Sequence, residues 1–226
     1  MKVLVVDIGG TSVKVLATGQ QERRKFASGP DMTPRQMVAG VKKATRDWNY
    51  DAVSIGYPGV ARHDRVIKDP HNLAPGWIGF DFAAAFGHPV RLINDAAMQA
   101  LGSYRQGTLL FLGLGTGLGS AMVFEGILAP MELGHLPYRN RTYEHYVGAR
   151  GRRRLGKEKW RRHVADVVGH LVAALQPDDV VLGGGNVKRL PSLPPGCRAG
   201  DNANAFAGGF RLWERDPRAG QVRERR

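Results

Sequence analysis

An Asn-Asp pair at positions 94 and 95 closes a short apolar run. A carboxylate at the C-terminal edge of a sheet faces the crevice where open α/β sheets hold ligands. Asp95 could there accept the proton of a hydroxyl as that hydroxyl attacks phosphorus. The same pair could instead be the Asx cap of a following helix. Two glycine-rich turns carry a second kind of chemistry. They are Asp7-Ile8-Gly9-Gly10-Thr11-Ser12 and Gly113-Leu114-Gly115-Thr116-Gly117-Leu118-Gly119. Turns without side chains expose backbone N–H groups and let phosphate oxygens come close. Thr11, Ser12 and Thr116 add hydroxyl donors. Asp7 could hold a hydrated Mg²⁺, and Lys14 would be a point charge for phosphate. Gly183-Gly184-Gly185 forms a third glycine run. Either turn alone reads as an ordinary hairpin; together with the triple glycine they point to a phosphate-bearing ligand between two lobes. Glu132-Leu133-Gly134-His135 places a carboxylate, a close-approach glycine and an imidazole within four residues, groups that can hydrogen-bond a polyol. A lone histidine of this kind is more commonly structural.

Two similar patterns fail. The run from Gly113 to Gly119 does not fit the dinucleotide fingerprint, because Leu118 and Ser120 stand where the pattern breaks and a strand follows instead of a helix. Gly151 to Lys157 fits the spacing of a Walker loop, but Glu158 replaces the required Ser or Thr and no strand precedes it.

The elements that must position these residues can be read from hydrophobic period and turn chemistry. Residues 3–6 are a buried-strand run, and Val13, Val15 and Ala17 mark the strand returning from the first turn. Thr33 as N-cap and Pro34 at N1 open a helix over 33–48, with Met37, Val38, Val41 and Ala44 on its apolar face. Strands follow at 52–55 and 89–93, with loop or short hairpin over 60–80 and a helix over 96–104. The second half repeats the opening. A strand at 108–112, a glycine turn and a strand at 121–124 form a weak internal repeat about 100 residues after the first. A long helix spans 157–175, apolar at 164, 167, 168, 171, 172 and 175, and Pro177 stops it. A strand at 179–182 runs into the triple glycine, and a last helix covers 202–213. The reading is α/β, with lobes at 1–107 and 108–201, helix 202–213 rejoining the first lobe, and a basic tail at 214–226.

Composition narrows the partners. The chain has 226 residues, 33 Lys plus Arg against 20 Asp plus Glu, and a net charge of +13. Hydrophobic residues make up 42%, enough for a folded core and against wholesale disorder. One cysteine, Cys197, excludes an internal disulfide and a cysteine-built zinc site. No apolar run approaches the roughly 20 residues of a membrane helix, and the apolar N-terminus is too short for a signal peptide, so the expected compartment is the cytoplasm. The segment 139–162 holds ten cations and two acids, +8 of the +13, and 211–226 adds +3. So dense a cationic segment is either a solvated face or a polyanion site.

The motifs around Asp7 to Lys14, Ile93-Asn94-Asp95, Leu114 to Gly119, Glu132 to His135 and Leu182 to Gly185 resemble, in order, those of the ROK family of sugar kinases, within the actin-like, hexokinase-like ATPases. The polyphosphate glucokinase branch is the most similar. Tyr57-Pro58-Gly59, Asn72, the stretch Gly76 to Asp81, Trp160 and Lys188 add to the resemblance. It implies two ribonuclease-H-like lobes around a central cleft, in a homodimer. It implies Asp95 as general base toward a glucose 6-hydroxyl, and Asn72, Asn94, Glu132, His135 and Glu144 as sugar ligands. Gly9, Gly10, Thr11 and Lys14 match the first phosphate loop, and Gly115, Thr116 and Gly117 the second. Gly183, Gly184 and Lys188 match the adenosine or distal-phosphate element. Mg²⁺ with ATP or polyphosphate is the implied donor system, with no zinc and no membrane, and with nucleic acid well behind. The family's zinc-binding cysteines and the DNA-binding domain of its repressors are absent from this sequence. Asn186 stands where a small or apolar residue is expected. The competing readings are an ATP-dependent kinase for another hexose, such as fructose or mannose, and a non-catalytic polyanion-binding protein that keeps the fold.

Overall fold

A computed structural model describes residues 1–201 and 203–214. The chain opens with β1 (Val3–Ile8), β2 (Ser12–Ala17) and β3 (Arg24–Ala27), followed by α1 (Pro34–Ala44) and β4 (Ala52–Tyr57). The small hairpin β5 (Ala61–Arg62) and β6 (Arg65–Val66), helix α2 (Phe82–Phe86), β7 (Val90–Asn94) and α3 (Asp95–Ser103) complete the first half. The sheet order is β3-β2-β1-β4-β7. The first three strands are antiparallel neighbours, and β4 and β7 add in parallel. β1 and β4 are buried along their whole length, as their continuous apolar runs require, whereas β2 alternates.

Thr33 caps α1 in a reciprocal box with Gln36, and Pro34 opens it as expected. The helix stops at Ala44 and not at Trp48. Thr45 turns its hydroxyl back to the Val41 carbonyl at 2.9 Å and takes a non-helical backbone, φ −116° and ψ 19°. Trp48 is buried without being helical. Strand β3 and helix α2 had no clear sequence signal. β3 is an edge strand half made of cations, and α2 is only five residues, set by its Asp81 cap and left-handed Gly87.

The second half repeats the plan: β8 (Thr108–Leu114), β9 (Leu118–Phe124), β10 (Ile127–Met131), β11 (Pro137–Tyr138), β12 (Arg141–Thr142), α4 (Tyr143–Val147), α5 (Ala149–Leu175), β13 (Asp179–Gly183), β14 (Cys197–Ala199) and α6 (Asn204–Arg211). Its sheet runs β10-β9-β8-β13-β14, again an antiparallel meander extended by parallel strands. The weak repeat seen in the sequence is thus a duplicated ribonuclease-H-like sheet. Helix α5 begins eight residues before the expected start at 157. Gly156, at φ 77° and ψ 169°, breaks it into two pieces, the second being the predicted amphipathic helix. Trp160 is fully buried and donates to the Val147 carbonyl at 2.7 Å, so it ties α5 to the end of α4. Helix α6 is shorter than the predicted 202–213; residue 202 and the tail beyond Glu214 lie outside the described residues. Among the described residues no helix is long and apolar enough to cross a membrane.

Helix α3 lies between the two sheets. Ala96, Ala97 and Ala100 pack with Leu109, Phe111, Ala121 and Val181 of the second sheet. Met98 packs on the other side with Val3, Val5, Ala205 and Phe206. Its approach to α6 is backbone against backbone. A Cβ on Gly208 would lie 1.8 Å from the Met98 carbonyl oxygen, and one on Gly102 1.8 Å from that of Asn204. α6 is fixed to the first sheet by Ser54, whose hydroxyl donates to the Gly209 carbonyl at 2.6 Å and accepts from the Trp213 indole at 2.9 Å.

Candidate active site

The two sequence readings of the Asn-Asp pair are divided between its members. Asn94 ends β7 and caps α3, its Oδ1 accepting from the N–H groups of Ala96 at 2.9 Å and Ala97 at 3.2 Å. Its Nδ2 donates to the Gly59 carbonyl at 3.0 Å. One amide hydrogen of Asn94 is therefore left for a ligand. Asp95, spared the cap, is the first helical residue. Its Oδ1 accepts from Ala96 N at 2.8 Å. Its carboxyl is pushed up to about 7, first by burial and then by the neighbouring carboxylate of Asp7, with a smaller push from Glu132; the backbone N–H groups of Ala96 and Asp95 oppose the rise. A carboxyl with that setting is suited to exchange a proton near neutrality.

Asp7 stands at the end of β1, 8% exposed. It faces Lys14 across the β1–β2 ladder, and the Lys14 ammonium donates to its Oδ2 at 2.9 Å. Lys14, read as a point charge for phosphate, makes this cross-strand pair. Gly9, Gly10 and Thr11 form the turn between the strands. Asn72 lies against it: a Cβ on Gly10 would come 3.1 Å from that of Asn72. In the second turn Glu144 is the neighbour, its Oε2 only 2.5 Å from where a Cβ on Gly117 would sit. Both glycines thus leave room for a side chain from another segment.

Glu132, His135 and Glu144 converge. His135 Nδ1 is 4.0 Å from Glu132 Oε2, and its Nε2 is 3.9 Å from Glu144 Oε1. All three keep solvent contact, as groups awaiting a polar ligand do. Gly134 permits this, since a Cβ there would be 2.7 Å from the Leu118 carbonyl oxygen. The constellation thus runs from Asp7 through Asp95 and Glu132 to His135, Glu144 and the second turn.

The triple glycine joins the second turn from the other side. Gly184 takes φ +83°, and a Cβ there would be 2.5 Å from the Leu114 carbonyl oxygen. Gly183 packs on the Phe111 ring. Asn186, the residue out of place in the motif, donates from Nδ2 to the Gly115 carbonyl at 3.0 Å. Lys188 is exposed on a 3₁₀ turn, Val187–Arg189, and the structure gives it no bond to the glycine turns. Ser28, which no spacing or motif singled out, also bonds the first glycine turn, at Gly9.

The basic segment is not one surface. Arg161 donates to the Arg189 carbonyl from two nitrogens, at 3.3 and 3.0 Å, beside Lys188. Arg139, Lys159, Arg162 and His163 instead line a separate open cavity of about 600 Å³, together with Asp166. There Tyr138 donates to Asp166, and its oxygen lies 2.9 Å from His163 Nδ1. Burial and the Arg139 charge hold His163 below the usual histidine range.

Comparison with known proteins agrees with this architecture. The ROK family model matches residues 3–151. A polyphosphate glucokinase of Mycobacterium tuberculosis is 28% identical over 212 residues, 84% of this chain and 80% of the relative. The polyphosphate glucokinase of Mycobacterium leprae is 27% identical over 202 residues, 80% of this chain and 62% of the relative. Among solved structures, the inorganic polyphosphate/ATP-glucomannokinase of Arthrobacter sp. strain KM superposes with a TM-score of 0.79 at 26% identity, covering 92% of this chain and 96% of that one. A ROK family glucokinase of Streptomyces griseus, solved with glucose and AMPPNP, shares the fold with a TM-score of 0.75 at 17% identity, over 94% and 99% of the two chains. With well over half its length matched by the family model, and with the duplicated actin-like ATPase fold of these kinases, the chain belongs to the ROK family.

Proposed function

We propose that this protein is a glucokinase that moves a phosphoryl group from polyphosphate or ATP to the 6-hydroxyl of glucose. The observation that carries the reading is the meeting of Asp95, raised toward neutrality, with the glycine turns on one side and the Glu132, His135 and Glu144 cluster on the other. The sugar hydroxyls would bond Glu132, His135, Glu144, Asn72 and the remaining amide hydrogen of Asn94. That leaves the 6-hydroxyl at Asp95. As its oxygen forms the new bond to phosphorus, its proton passes to the Asp95 carboxylate; the bond to the bridging oxygen breaks, and the donor departs one phosphate shorter. N–H groups of the turns stabilise the charge on the transferring group.

Asp7 fits a Mg²⁺ that keeps most of its water, since it offers a hard carboxylate only half engaged by Lys14. Among the described residues no group of three or more His, Cys, Asp or Glu is placed to hold a metal, which leaves donor phosphates as the partners of Asp7. Bound there, the ion would neutralise charge on the phosphates.

Polyphosphate as donor is supported by the mycobacterial relatives and by the cationic segment 139–162. A coupled glucose-6-phosphate assay with each donor tests the proposal; no turnover with either would overturn it in favour of a polyanion-binding role. A second reading, a kinase that also takes mannose, is favoured by the likeness to the Arthrobacter glucomannokinase, and a panel of hexoses decides it. We read the working form as a cytoplasmic homodimer, on the family resemblance.

A further inference from the structure

We propose that Ser28 and Asn186 are positioning residues, one for each glycine turn, that keep backbone N–H groups aimed at the phosphoryl donor; this rests on the kinase reading above. A turn built from glycine to admit phosphate is also free to flip its peptide planes, because no Cβ resists the rotation. Something must then hold each plane. In the first turn the Gly9 carbonyl accepts the Ser28 hydroxyl at 2.5 Å, and the Thr11 carbonyl accepts the Ser28 N–H at 3.2 Å. In the second, the Gly115 carbonyl accepts Asn186 Nδ2 at 3.0 Å and the Ala149 N–H at 3.0 Å; the Thr116 carbonyl accepts the same Ala149 N–H at 3.1 Å. The peptides of both turns are trans, so a carbonyl held on one side sends the next residue's N–H to the other. The N–H groups so directed belong to Gly10, Ser12, Thr116 and Gly117. Those of Gly10, Thr116 and Gly117 make no hydrogen bond among the described residues. Directed donors of this kind form an anion-binding concavity. The two holders are not copies of each other. Ser28 follows β3, at the end of the meander, whereas Asn186 follows β13, the parallel strand. Each half of the duplicated fold has solved the same problem separately.

The test is steady-state kinetics on the full chain, with Ser28→Ala, Asn186→Val and the double variant. Loss of one such hydrogen bond is worth roughly tenfold. The Michaelis constant for the donor should therefore rise about tenfold in each single variant and roughly a hundredfold in the double. That for glucose should stay within about twofold of the parent, a split that general loosening would not produce. Ser28→Thr keeps the hydroxyl and should keep the parent value. Asn186→Asp preserves size but cannot donate, and decides the case if the valine variant does not fold. An unchanged donor constant, an equal rise for donor and sugar, or a Ser28→Thr variant no better than Ser28→Ala would overturn the proposal. Binding of tripolyphosphate by calorimetry separates the two claims. If the parent binds it but turns over no sugar, the kinase reading fails while weaker binding by the variants upholds the holders; equal binding by parent and variants overturns them.

Discussion

A carboxyl at about 7 is half-protonated in neutral buffer, and it can take a proton only when ionised. The rate with saturating donor should therefore climb with pH along an acid limb centred near 7. Glu132 is one of the charges that raise it, so Glu132→Gln should move that limb to lower pH, visible in kcat/KM profiles. Asp95→Asn should lower turnover at least ~100-fold while leaving the fold intact. The same residue makes a stability prediction of definite sign. Its folded value lies above the ordinary 3.8, so the folded state binds the proton more tightly than the unfolded one. The associated stability is complete below about 4 and is lost as pH rises through about 7. Thermal melts of the parent and of Asp95→Asn should therefore diverge over that window, the variant becoming the relatively more stable at the alkaline end. At this scale the sequence was partly legible. Asn94 and Asp95 could be found, because a polar pair at a strand end is conspicuous, but which of them capped the helix needed coordinates. Ser28 could not be found, since a lone serine after a charged edge strand has no distinguishing pattern.

Elements with strong period and length were readable: β1, β2, β8, β9, the later part of α5, and α1 up to the point where Thr45 diverts its hydroxyl. The missed ones are short or charged, such as β3, α2 and α4, whose formation depends on neighbours distant in sequence. The α3–α6 contact belongs to this scale too. Gly102 and Gly208 read as helix-weakening residues in isolation, yet they are what lets the two helices meet. Either one changed to alanine would force a Cβ to within 1.8 Å of a backbone oxygen. The expected outcome is a loss of about 3 kcal/mol or more in chemical denaturation, beyond the ordinary range for a single substitution.

For the molecule as a whole, the net charge of +13 includes at least two separate groups of cations. Arg161 bonds the carbonyl of Arg189, in the turn that follows the triple glycine in sequence; Arg139, Lys159 and Arg162 line the other cavity. A polyphosphate chain held by such charges should bind more weakly as salt rises, and more steeply so than ATP. Comparing the two donors' Michaelis constants between low and high ionic strength checks this, and equal salt dependence would count against a polymer track. We propose the division 1–107 and 108–201, with 202–213 returning to the first unit. The return has a consequence for how the protein is made. Val3 and Val5 are made some 200 residues before Ala205 and Phe206, which help to cover them. The α3-facing side of the first sheet is therefore covered only in part, by Met98, until α6 has been made. A stalled or truncated chain lacking the final helix should present that apolar face to chaperones instead of folding half the enzyme on its own.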